Sequence, residues 1–584
     1  MNRLLEAGQS CRLRQPVKLV LLSVNSRYVH SSLAPWCLRA GLDAYAMAAF
    51  DARVVEGTVN EPTEALLARI SQAQPEVLGI SCAIWNITSV GRLLPRIKEA
   101  LPGCVIVLGG PEVSYRAADT LAGFPHADYL IAGEGELPFA RLLDALCGLR
   151  SFDEVPGLCR RSAEGLVIRE PHVHEAMQPS PYSPAYFMAL GGRIAYLETS
   201  RGCPYSCAFC LSGRGEKLRS ASFERAFGEI LLLANSGTRT VKLVDRTFNA
   251  DKARALTILR FIADHAGLEI PDGVTFHFEL AGDLLDDDTL SLIASAPAGL
   301  FQFEIGLQSM DEGTLRKVRR RTDMAYLMRQ VSRLIACGRA HVHLDLIAGL
   351  PGEGLSAFAR GFNEAYALRP HALQLGFLKL IHGSAMRGEP ENYPCLFDPE
   401  PPYQVLSTPW LSGEDLATLA LAEHALDKLH NSGRFAGTLR FMTSQAGLRP
   451  FDAFLMLGRA IHQAEAAQGR LSLEGLTDCV FACLASLLQQ RPLLRDLLLQ
   501  DRLASTPTTV LPACLKQKDS RHPAVKQALR RLCPRPEGVT RAIGILYAGE
   551  AERVVFCDYI KKDPVSGLYP LVILPLAQCL AILG

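Results

Sequence analysis

The sequence predicts an α/β protein in three parts: an open, doubly wound sheet, a partial (β/α)6 barrel and a mostly helical C-terminal domain. Five short apolar runs alternate with helical periodicity between Val17 and Leu146, and six more do so between Ile194 and Leu380. Beyond Glu400 the pattern is mainly of helix period. The predicted bounds are 1–160 for the first domain, 161–189 for a proline-rich linker, 190–400 for the barrel and 401–584 for the last domain.

The first domain is predicted to be a sheet of parallel strands, because strand and helix alternate along the chain. The predicted strands are Lys18–Val24, Arg53–Glu56, Val77–Cys82, Val105–Leu108 and Tyr129–Ala132. Ligands of such sheets bind at the carboxyl ends of the strands. Two glycine-rich turns follow strands there, Gly109-Gly110-Pro111 and Gly133-Glu134-Gly135-Glu136, and glycine permits close backbone approach.

The barrel is predicted from six further strands separated by helical stretches. These strands are Ile194–Thr199, Thr240–Val244, Val274–Leu280, Leu300–Gly306, His341–Ile347 and Ala372–Leu380. Helices are predicted at Ser412–Leu429 and Leu473–Leu488 in the last domain. The apolar end of the chain, Leu568–Gly584, contains two prolines and favours a buried strand or helix over a membrane span.

Composition excludes several classes of protein. The chain has 584 residues, and 48% of them are hydrophobic, which is unlike a disordered chain. Its 61 Lys and Arg nearly balance its 60 Asp and Glu, which argues against a dedicated nucleic-acid or membrane-surface binder. Its 17 cysteines are odd in number, and a chain of this length needs no disulfides for a core. The start of the sequence carries the charged residues Arg3 and Glu6 and has no cleavage pattern, so it does not resemble a secretory signal. The sequence therefore predicts free thiols in a reducing cytoplasm.

Three of these cysteines, Cys203, Cys207 and Cys210, follow the first barrel strand with the spacing C-x3-C-x2-C. Thiolates are natural ligands of iron–sulfur clusters, and three of them on one short loop can hold a cubane whose fourth iron stays open for chemistry. The alternatives are a zinc site, which lacks an evident fourth ligand, and three ordinary thiols.

This loop, with Phe209 just before its last cysteine, resembles the cluster motif of the radical S-adenosylmethionine (SAM) superfamily. The resemblance implies that Cys203, Cys207 and Cys210 bind a [4Fe-4S] cluster, with Phe209 beside the cofactors. It also implies that the open iron binds the amino and carboxylate groups of SAM. Reduction would then cleave SAM to a 5'-deoxyadenosyl radical.

Two later segments also resemble this superfamily. Phe303–Ser309 and Leu344–Glu353 are similar to strand ends of its coproporphyrinogen-oxidase-like branch. Glu279, Glu304 and Gln308 fall at or near strand ends, and we expect them to bind the ribose and amino acid of SAM. The alternative for each is a hydrogen bond to neighbouring backbone.

Two other segments leave their roles open. Asp245 stands where many relatives have a Gly-Gly-Glu turn for the methionyl amine, and a carboxylate there could pair with that ammonium. The basic run Arg316–Arg321 could bind an anionic substrate or the SAM carboxylate, or it could be a solvated helix face, which such runs more often are.

The first domain, placed ahead of such a barrel, resembles the cobalamin-binding domain of B12-dependent radical SAM proteins. The resemblance implies that Gly109, Gly110, Gly133 and Glu134 contact cobalamin. The Asp-x-His-x-x-Gly loop of cobalamin mutases is absent from residues 1–160, so no protein ligand to cobalt is implied, and His30 is expected to be hydrogen-bonded locally instead. The alternative is a domain that keeps the fold without binding cobalamin.

These resemblances predict a cobalamin-dependent radical SAM enzyme that methylates an unactivated carbon of a small molecule. Its reductant would be a flavodoxin or ferredoxin, and neither nucleic acid nor membrane is predicted as a partner. The last domain resembles an uncharacterised domain of some B12-binding radical SAM proteins and would cover the barrel mouth. The alternatives are oxidation, cyclisation or rearrangement without methyl transfer, and a non-radical iron–sulfur protein that binds a partner or carries electrons.

Overall fold

The computed structural model describes residues 15–212, 214, 217–487, 490–507 and 510–583, so Arg3 and Glu6 lie outside the described residues. The chain divides into two units. The first contains the described residues up to Leu280, together with Val318–Arg320 and Leu378–Leu406. The second contains Ala281–Lys317, Arg321–Phe377 and the described residues from Ser407 onward. Both units are therefore assembled from separate stretches of the chain.

The first domain is a seven-stranded sheet with the strand order β2-β1-β3-β4-β5-β6-β7. Its strands are β1 (Val17–Asn25), β2 (Phe50–Thr58), β3 (Val77–Ser81), β4 (Val105–Gly109), β5 (Tyr129–Ile131), β6 (Leu158–Ser162) and β7 (Gly165–Val167). The first five strands are parallel to one another, as predicted, whereas β6 pairs antiparallel with β5 and forms with β7 a hairpin that the sequence pattern does not predict.

Helices cover both faces of this sheet. They are α1 (Ala34–Tyr45), α2 (Thr63–Ala73), α3 (Ile87–Ala100), α4 (Pro111–Ser114), α5 (Ala117–Gly123) and α6 (Glu136–Leu146). Along β1, Val20 and Leu22 pack into one core cluster, and Leu19 and Leu21 pack into the other. The sequence of a strand buried on both faces is a continuous apolar run, which is why β1 could be predicted from the sequence.

The first unit continues with the beginning of the predicted barrel. Its elements are α7 (Pro184–Leu190), β8 (Ala195–Leu197), β9 (Ser200–Arg201), β10 (Arg219–Ser220), α8 (Phe223–Ala234), β11 (Thr240–Leu243), α9 (Lys252–His265) and β12 (Thr275–Leu280). The central strand β11 is parallel to both β8 and β12. Strands β9 and β10 form a separate antiparallel ribbon, and the three cysteines of the motif lie between them along the chain.

The second unit carries the other three barrel strands. Its elements up to Phe377 are α10 (Asp287–Ser295), β13 (Phe301–Gln308), α11 (Glu312–Lys317), α12 (Met324–Ala336), β14 (His341–Ala348), α13 (Leu355–Ala367) and β15 (Ala372–Phe377). Strand β14 is parallel to both β13 and β15. Alternate residues of β13 and β14 are buried, so each strand presents one apolar face and one more accessible, partly polar face.

A short segment that returns to the first unit follows, and then the last domain. The elements are α14 (Ala385–Gly388), β16 (Leu396–Phe397), β17 (Val405–Ser407), α15 (Gly413–Ala425), a π-helical turn (Leu426–Asn431), α16 (Ala436–Ser444), α17 (Pro450–Gln468), α18 (Leu473–Leu487), α19 (Arg491–Ser505), α20 (His522–Leu532), β18 (Arg541–Leu546), β19 (Arg553–Asp558), β20 (Val572–Pro575) and α21 (Leu576–Leu580).

The last domain is mostly helical, as predicted, but it ends in a three-stranded antiparallel sheet, β18-β19-β20, that the periodicity does not predict. The apolar end of the chain supplies β20 and α21, where Leu576 and Cys579 are buried. No helix in the described part of the chain is long and apolar enough to cross a bilayer.

Candidate cofactor site

A cavity of about 620 Å³ lies in the first unit at the carboxyl edge of the doubly wound sheet. The two glycine-rich turns after β4 and β5 line it, so the structure brings Gly109, Gly110, Gly133 and Glu134 to one site. This edge is where ligands of open α/β sheets bind.

Close backbone packing explains the glycines of these turns. Gly110 has φ +108°, and a Cβ there would lie 2.5 Å from the carbonyl oxygen of Cys82. Gly133 has φ +89°, and a Cβ there would lie 2.2 Å from the carbonyl oxygen of His172. Neither position accepts a side chain without backbone movement, so glycine is required for the packing of these turns against Cys82 and His172.

Residues of the barrel strands also line this cavity. Tyr196 and Glu198 from the β8 segment, and Val244 and Arg246 after β11, contribute to the wall. The cavity is therefore shared by the doubly wound sheet and the beginning of the barrel, both of which belong to the first unit.

His30 lines the cavity, and its partner is not the local one that the sequence predicts. Its Nδ1 and the hydroxyl of Tyr196 are hydrogen-bonded at 2.7 Å. Burial lowers the pKa of His30, and the charge of Arg27 lowers it further, so the neutral imidazole is favoured. The hydrogen bond connects the loop after β1 to strand β8.

The three cysteines of the motif lie on one irregular loop, residues 202–211, which we call the cysteine loop. Cys203 is buried, Cys207 and Cys210 are half-buried, and Phe209 is half-buried in the turn between them. The backbone N–H of Cys210 donates to the carbonyl of Cys207 at 3.1 Å. Within the described part of the chain, no group of three or more His, Cys, Asp and Glu side chains is arranged to hold a single metal ion.

The pKa of the Cys207 thiol responds to Arg320 and to the other two thiols of the loop. Burial raises the pKa of Cys207, the Arg320 guanidinium lowers it and donates a hydrogen bond to the sulfur, and Cys210 and Cys203 raise it. Three thiols on one loop without regular structure suit a cluster whose ligands bind different iron atoms.

Two backbone hydrogen bonds anchor the middle of the cysteine loop. The N–H of Ala208 donates to the carbonyl of Val318, and the N–H of Met386 donates to the carbonyl of Ala208, both at 2.9 Å. The basic run is thus not simply a solvated helix face. Helix α11 ends at Lys317, and two residues after it, Val318 and Arg320, contact the cysteine loop.

Asp245 is placed at the end of β11, as predicted, but it is 1% exposed and its carboxylate is occupied by the protein. Its Oδ1 accepts from the backbone N–H of Thr199 at 2.8 Å, and its Oδ2 accepts from the hydroxyls of Thr199 and Ser200, each at 2.6 Å. Burial raises the pKa of the Asp245 carboxyl despite these bonds. The geometry ties Asp245 to the segment just before the cysteine loop.

The remaining predicted residues lie on two strands, β12 and β13. Glu279 is on β12, with its Oε1 3.9 Å from the Nζ of Lys242 on β11. Glu304 and Gln308 are on β13 in the second unit. Gln308 has φ +69° at a break in register with β14, and its buried Oε1 has no hydrogen-bond partner among the described residues. A strained residue with an unused buried acceptor is typical of a ligand site.

Three acids and bases near β14 were not among the predicted site residues. His343 and Asp345 follow one another on the same face of the strand, with Nε2 and Oδ1 3.2 Å apart. Glu353, in the turn after β14, is 2% exposed and accepts a 2.7 Å hydrogen bond from the Ser309 hydroxyl. Burial raises the pKa of Glu353 to about 7. The period of two along β14 could have identified His343 and Asp345.

Three family models match successive parts of the chain. Residues 20–143 match the B12 binding domain, residues 197–362 match the Radical SAM superfamily, and residues 391–563 match a protein family of unknown function, DUF4080. The matches confirm the predicted order of domain types and the predicted fold class. A region that matches the Radical SAM superfamily is thus preceded by a region that matches the B12 binding domain.

Two curated relatives are methyltransferases. The chain is 29% identical over 314 residues to the 2-(S-pantetheinyl)-carbapenam-3-carboxylate methyltransferase of Streptantibioticus cattleyicolor, covering 50% of this chain and 44% of the relative. It is 31% identical over 309 residues to the cobalamin-dependent radical SAM methyltransferase TokK of Streptomyces tokunonensis, covering 50% and 45%. The chain thus spans less than half the length of these relatives.

Two solved structures share the fold. The radical SAM methyltransferase TsrM from Kitasatospora setae, solved with cobalamin and a [4Fe-4S] cluster, is 18% identical with a TM-score of 0.52, covering 64% of this chain and 74% of that one. The cobalamin-dependent SAM radical enzyme OxsB, solved with aqua-cobalamin, is 14% identical with a TM-score of 0.58, covering 83% and 80%.

Proposed function

We propose that this protein is a cobalamin-dependent radical SAM enzyme. It would reductively cleave SAM at a [4Fe-4S] cluster and methylate an unactivated carbon of a small molecule. The observation that carries the proposal is the shared cavity, whose wall combines the glycine-rich turns of the doubly wound sheet with Glu198 and Arg201, which lie directly ahead of the cysteine loop. The candidate cobalamin cavity thus borders the segment that leads into the cysteine loop.

In this proposal Cys203, Cys207 and Cys210 hold the cluster. Bound together, the cluster and SAM supply a 5'-deoxyadenosyl radical, and cobalamin supplies a methyl carrier. The spacing of the three thiols on one loop and the anchoring of Ala208 on both sides support this assignment. Phe209 would pack beside the cofactors in the same turn.

Cobalamin would lie against Gly109, Gly110 and Gly133, which line the cavity. His30, held by Tyr196, would face it as a neutral side chain, and the absence of an Asp-x-His-x-x-Gly loop from the sequence means that no cobalt ligand is assigned.

Glu279, Glu304 and Gln308 would bind SAM, and the unused Oε1 of Gln308 supports its part in this assignment. Asp245 acquires a different role from the predicted amine partner. Because its two oxygens already accept three hydrogen bonds from Thr199 and Ser200, we assign it the positioning of the segment that leads into the cysteine loop.

The cluster also needs a source of electrons and a reducing compartment, and we assign these to a flavodoxin or ferredoxin and to the cytoplasm. All 16 cysteines in the described part of the chain are free thiols, which supports such a compartment.

The test uses the full chain, reconstituted anaerobically with iron, sulfide and hydroxocobalamin and supplied with a reductant and SAM carrying a labelled methyl group. The absorption spectrum of the purified protein should show bound cobalamin, and 5'-deoxyadenosine should form. The variant Cys207→Ala should lose this cleavage, whereas Cys147→Ala, outside the loop, should retain it. Unchanged cleavage in Cys207→Ala would contradict the catalytic cluster.

Methyl transfer is tested separately, with candidate small molecules added to the same mixture. Label in the product supports a methyltransferase. Turnover of a substrate with label only in methionine would contradict methyl transfer and favour oxidation, cyclisation or rearrangement.

A further inference from the structure

Five charged side chains form a mostly buried group at the cavity wall, which we call the Glu134 group. Its members are Glu134, Glu136, Glu198, Arg201 and Arg219. Nη2 of Arg201 lies 2.9 Å from Glu136 and 2.7 Å from Glu198, and Nη2 of Arg219 lies 2.6 Å from Glu134. No member has a side chain more than 21% exposed, so solvent screens these pairs weakly.

The two arginines stand directly opposite each other in the β9–β10 ribbon, because Arg201 pairs with Arg219 in its register. Like charges in opposed positions destabilise a strand pair. Glu134 offsets this repulsion, since Oε2 lies 3.4 Å from Nη1 of Arg201 and both of its oxygens accept from Arg219, at 2.6 and 2.9 Å. One carboxylate from the first domain thus pairs with both arginines of the ribbon, whose two strands flank the cysteine loop along the chain.

Glu134 is itself held in place by the backbone around it. Its N–H donates to the carbonyl of His172 at 2.8 Å, and its Oε2 accepts from the N–H of His174 at 3.1 Å. The preceding Gly133 forms a parallel β-bridge with His172 and packs so closely on it that a Cβ would collide with the His172 backbone. Glu134 therefore provides a fixed point against which the two arginines are positioned.

The same group faces the cavity, because all its members except Arg219 line the wall. Arg201 is separated from Cys203 by one residue, Gly202. A ligand in the cavity would consequently contact the charges that hold the base of the cysteine loop.

We propose that Glu134 is a positioning residue that couples occupancy of the cavity to the geometry of the cysteine loop. It acts through Arg201 and Arg219, in addition to any contact it makes with a cofactor. The identity of the occupant, cobalamin, rests on the proposed function, whereas the anchoring of the loop does not.

The anchoring is tested on the full chain without cofactors. Cys207 and Cys210 are alkylated anaerobically with iodoacetamide, and the rates are read by mass spectrometry. Glu134→Gln should raise these rates on the order of tenfold, because charge-assisted hydrogen bonds to two buried guanidiniums are weakened. Glu134→Asp, which keeps the charge, should restore part of the protection.

Two controls separate anchoring from unfolding. Glu64→Gln removes an exposed ion pair with Arg96 in the same domain and should leave the rates unchanged. Cys82, fully buried in the sheet, reports global opening and should react no faster in Glu134→Gln. If Cys82 does react faster, Arg219→Lys is measured instead. Unchanged alkylation of Cys207 and Cys210 in the folded variant would overturn the proposal.

The coupling is tested with cyanocobalamin as the probe. Saturating cyanocobalamin should slow the alkylation of Cys207 several-fold in the natural chain, but not in Glu134→Gln, although dialysis shows that both bind it. Equal slowing in both proteins would overturn the coupling. Failure of the natural chain to bind the probe would contradict cobalamin as the occupant, and the cofactor-free alkylation rates would still decide the anchoring.

Discussion

Replacing Glu353 with Gln is expected to stabilise the second unit, and to do so more strongly as the pH rises. Burial raises the pKa of Glu353 from its ordinary value of 4.5 to about 7, while the hydrogen bond from Ser309 lowers it. Because the folded-state pKa exceeds the unfolded one, the folded protein binds an extra proton between these values. Its stability therefore falls as the pH rises through about 7.

The size of the effect follows from the two pKa values. A carboxyl that titrates at about 7 instead of 4.5 costs the folded state about 3 kcal/mol once it is charged. Gln has nearly the same shape, stays neutral and keeps the oxygen that accepts from Ser309. Glu353→Gln should therefore have a free energy of unfolding that is higher by up to about 3 kcal/mol at about pH 8, and by less than about 1 kcal/mol at about pH 5.

The assay must report the second unit by itself, because a chain with several domains need not unfold in one step. Trp410 lies in this unit, and its carbonyl oxygen is 3.2 Å from the position of a Cβ built on Gly354, next to Glu353. With Trp36 and Trp85 replaced by Phe, urea unfolding followed by fluorescence reports Trp410.

The matched control for Glu353→Gln is Glu312→Gln, which replaces a 63% exposed carboxylate paired with Arg316. This variant should show no gain that grows with pH. A stability difference for Glu353→Gln that is the same at both pH values, or a loss at the higher one, would refute the electrostatic reasoning.

Two further substitutions test the candidate site. Gly110→Ala would place a Cβ 2.5 Å from the carbonyl oxygen of Cys82, at a backbone conformation (φ +108°, ψ 173°) that is essentially restricted to glycine. The turn must then move, so cyanocobalamin affinity in equilibrium dialysis should fall at least about tenfold. Gly103→Ala, with no atom within 4 Å, should bind normally, and equal affinity in both variants would contradict the close approach. Arg320→Gln removes a cation beside Cys207 and should lower the midpoint potential of the reconstituted cluster in a redox titration followed by electron paramagnetic resonance, because reduction adds negative charge. Arg320→Lys should retain most of that potential, and an unchanged value in Arg320→Gln would argue against the contact.

Features with a local cause could be predicted from the sequence. The doubly wound sheet follows from apolar runs such as β1, which is buried on both faces. The cysteine loop follows from the spacing of Cys203, Cys207 and Cys210, and the turns at Gly110 and Gly133 follow from the conformations that glycine permits.

Features that depend on residues far apart in the chain could not be predicted from the sequence. Glu134 and Arg219 are 85 residues apart, and nothing near either residue indicates the other. Asp245 is similar, because the carboxylate is a plausible amine partner until Thr199 and Ser200 are seen to occupy it. The last sheet escapes prediction because β20 adds to β19 only after a long connection, and its side chains do not alternate regularly between buried and exposed.

The anchoring of Ala208 constrains when the cysteine loop can be completed during synthesis. Its two backbone partners, Val318 and Met386, lie more than 100 residues further along the chain. When synthesis has just passed Cys210, all three thiols are present, but neither of the two segments whose backbone anchors their loop has been made. We expect cluster insertion to be a late event, and a nascent chain arrested before Met386 should expose these thiols to oxidation.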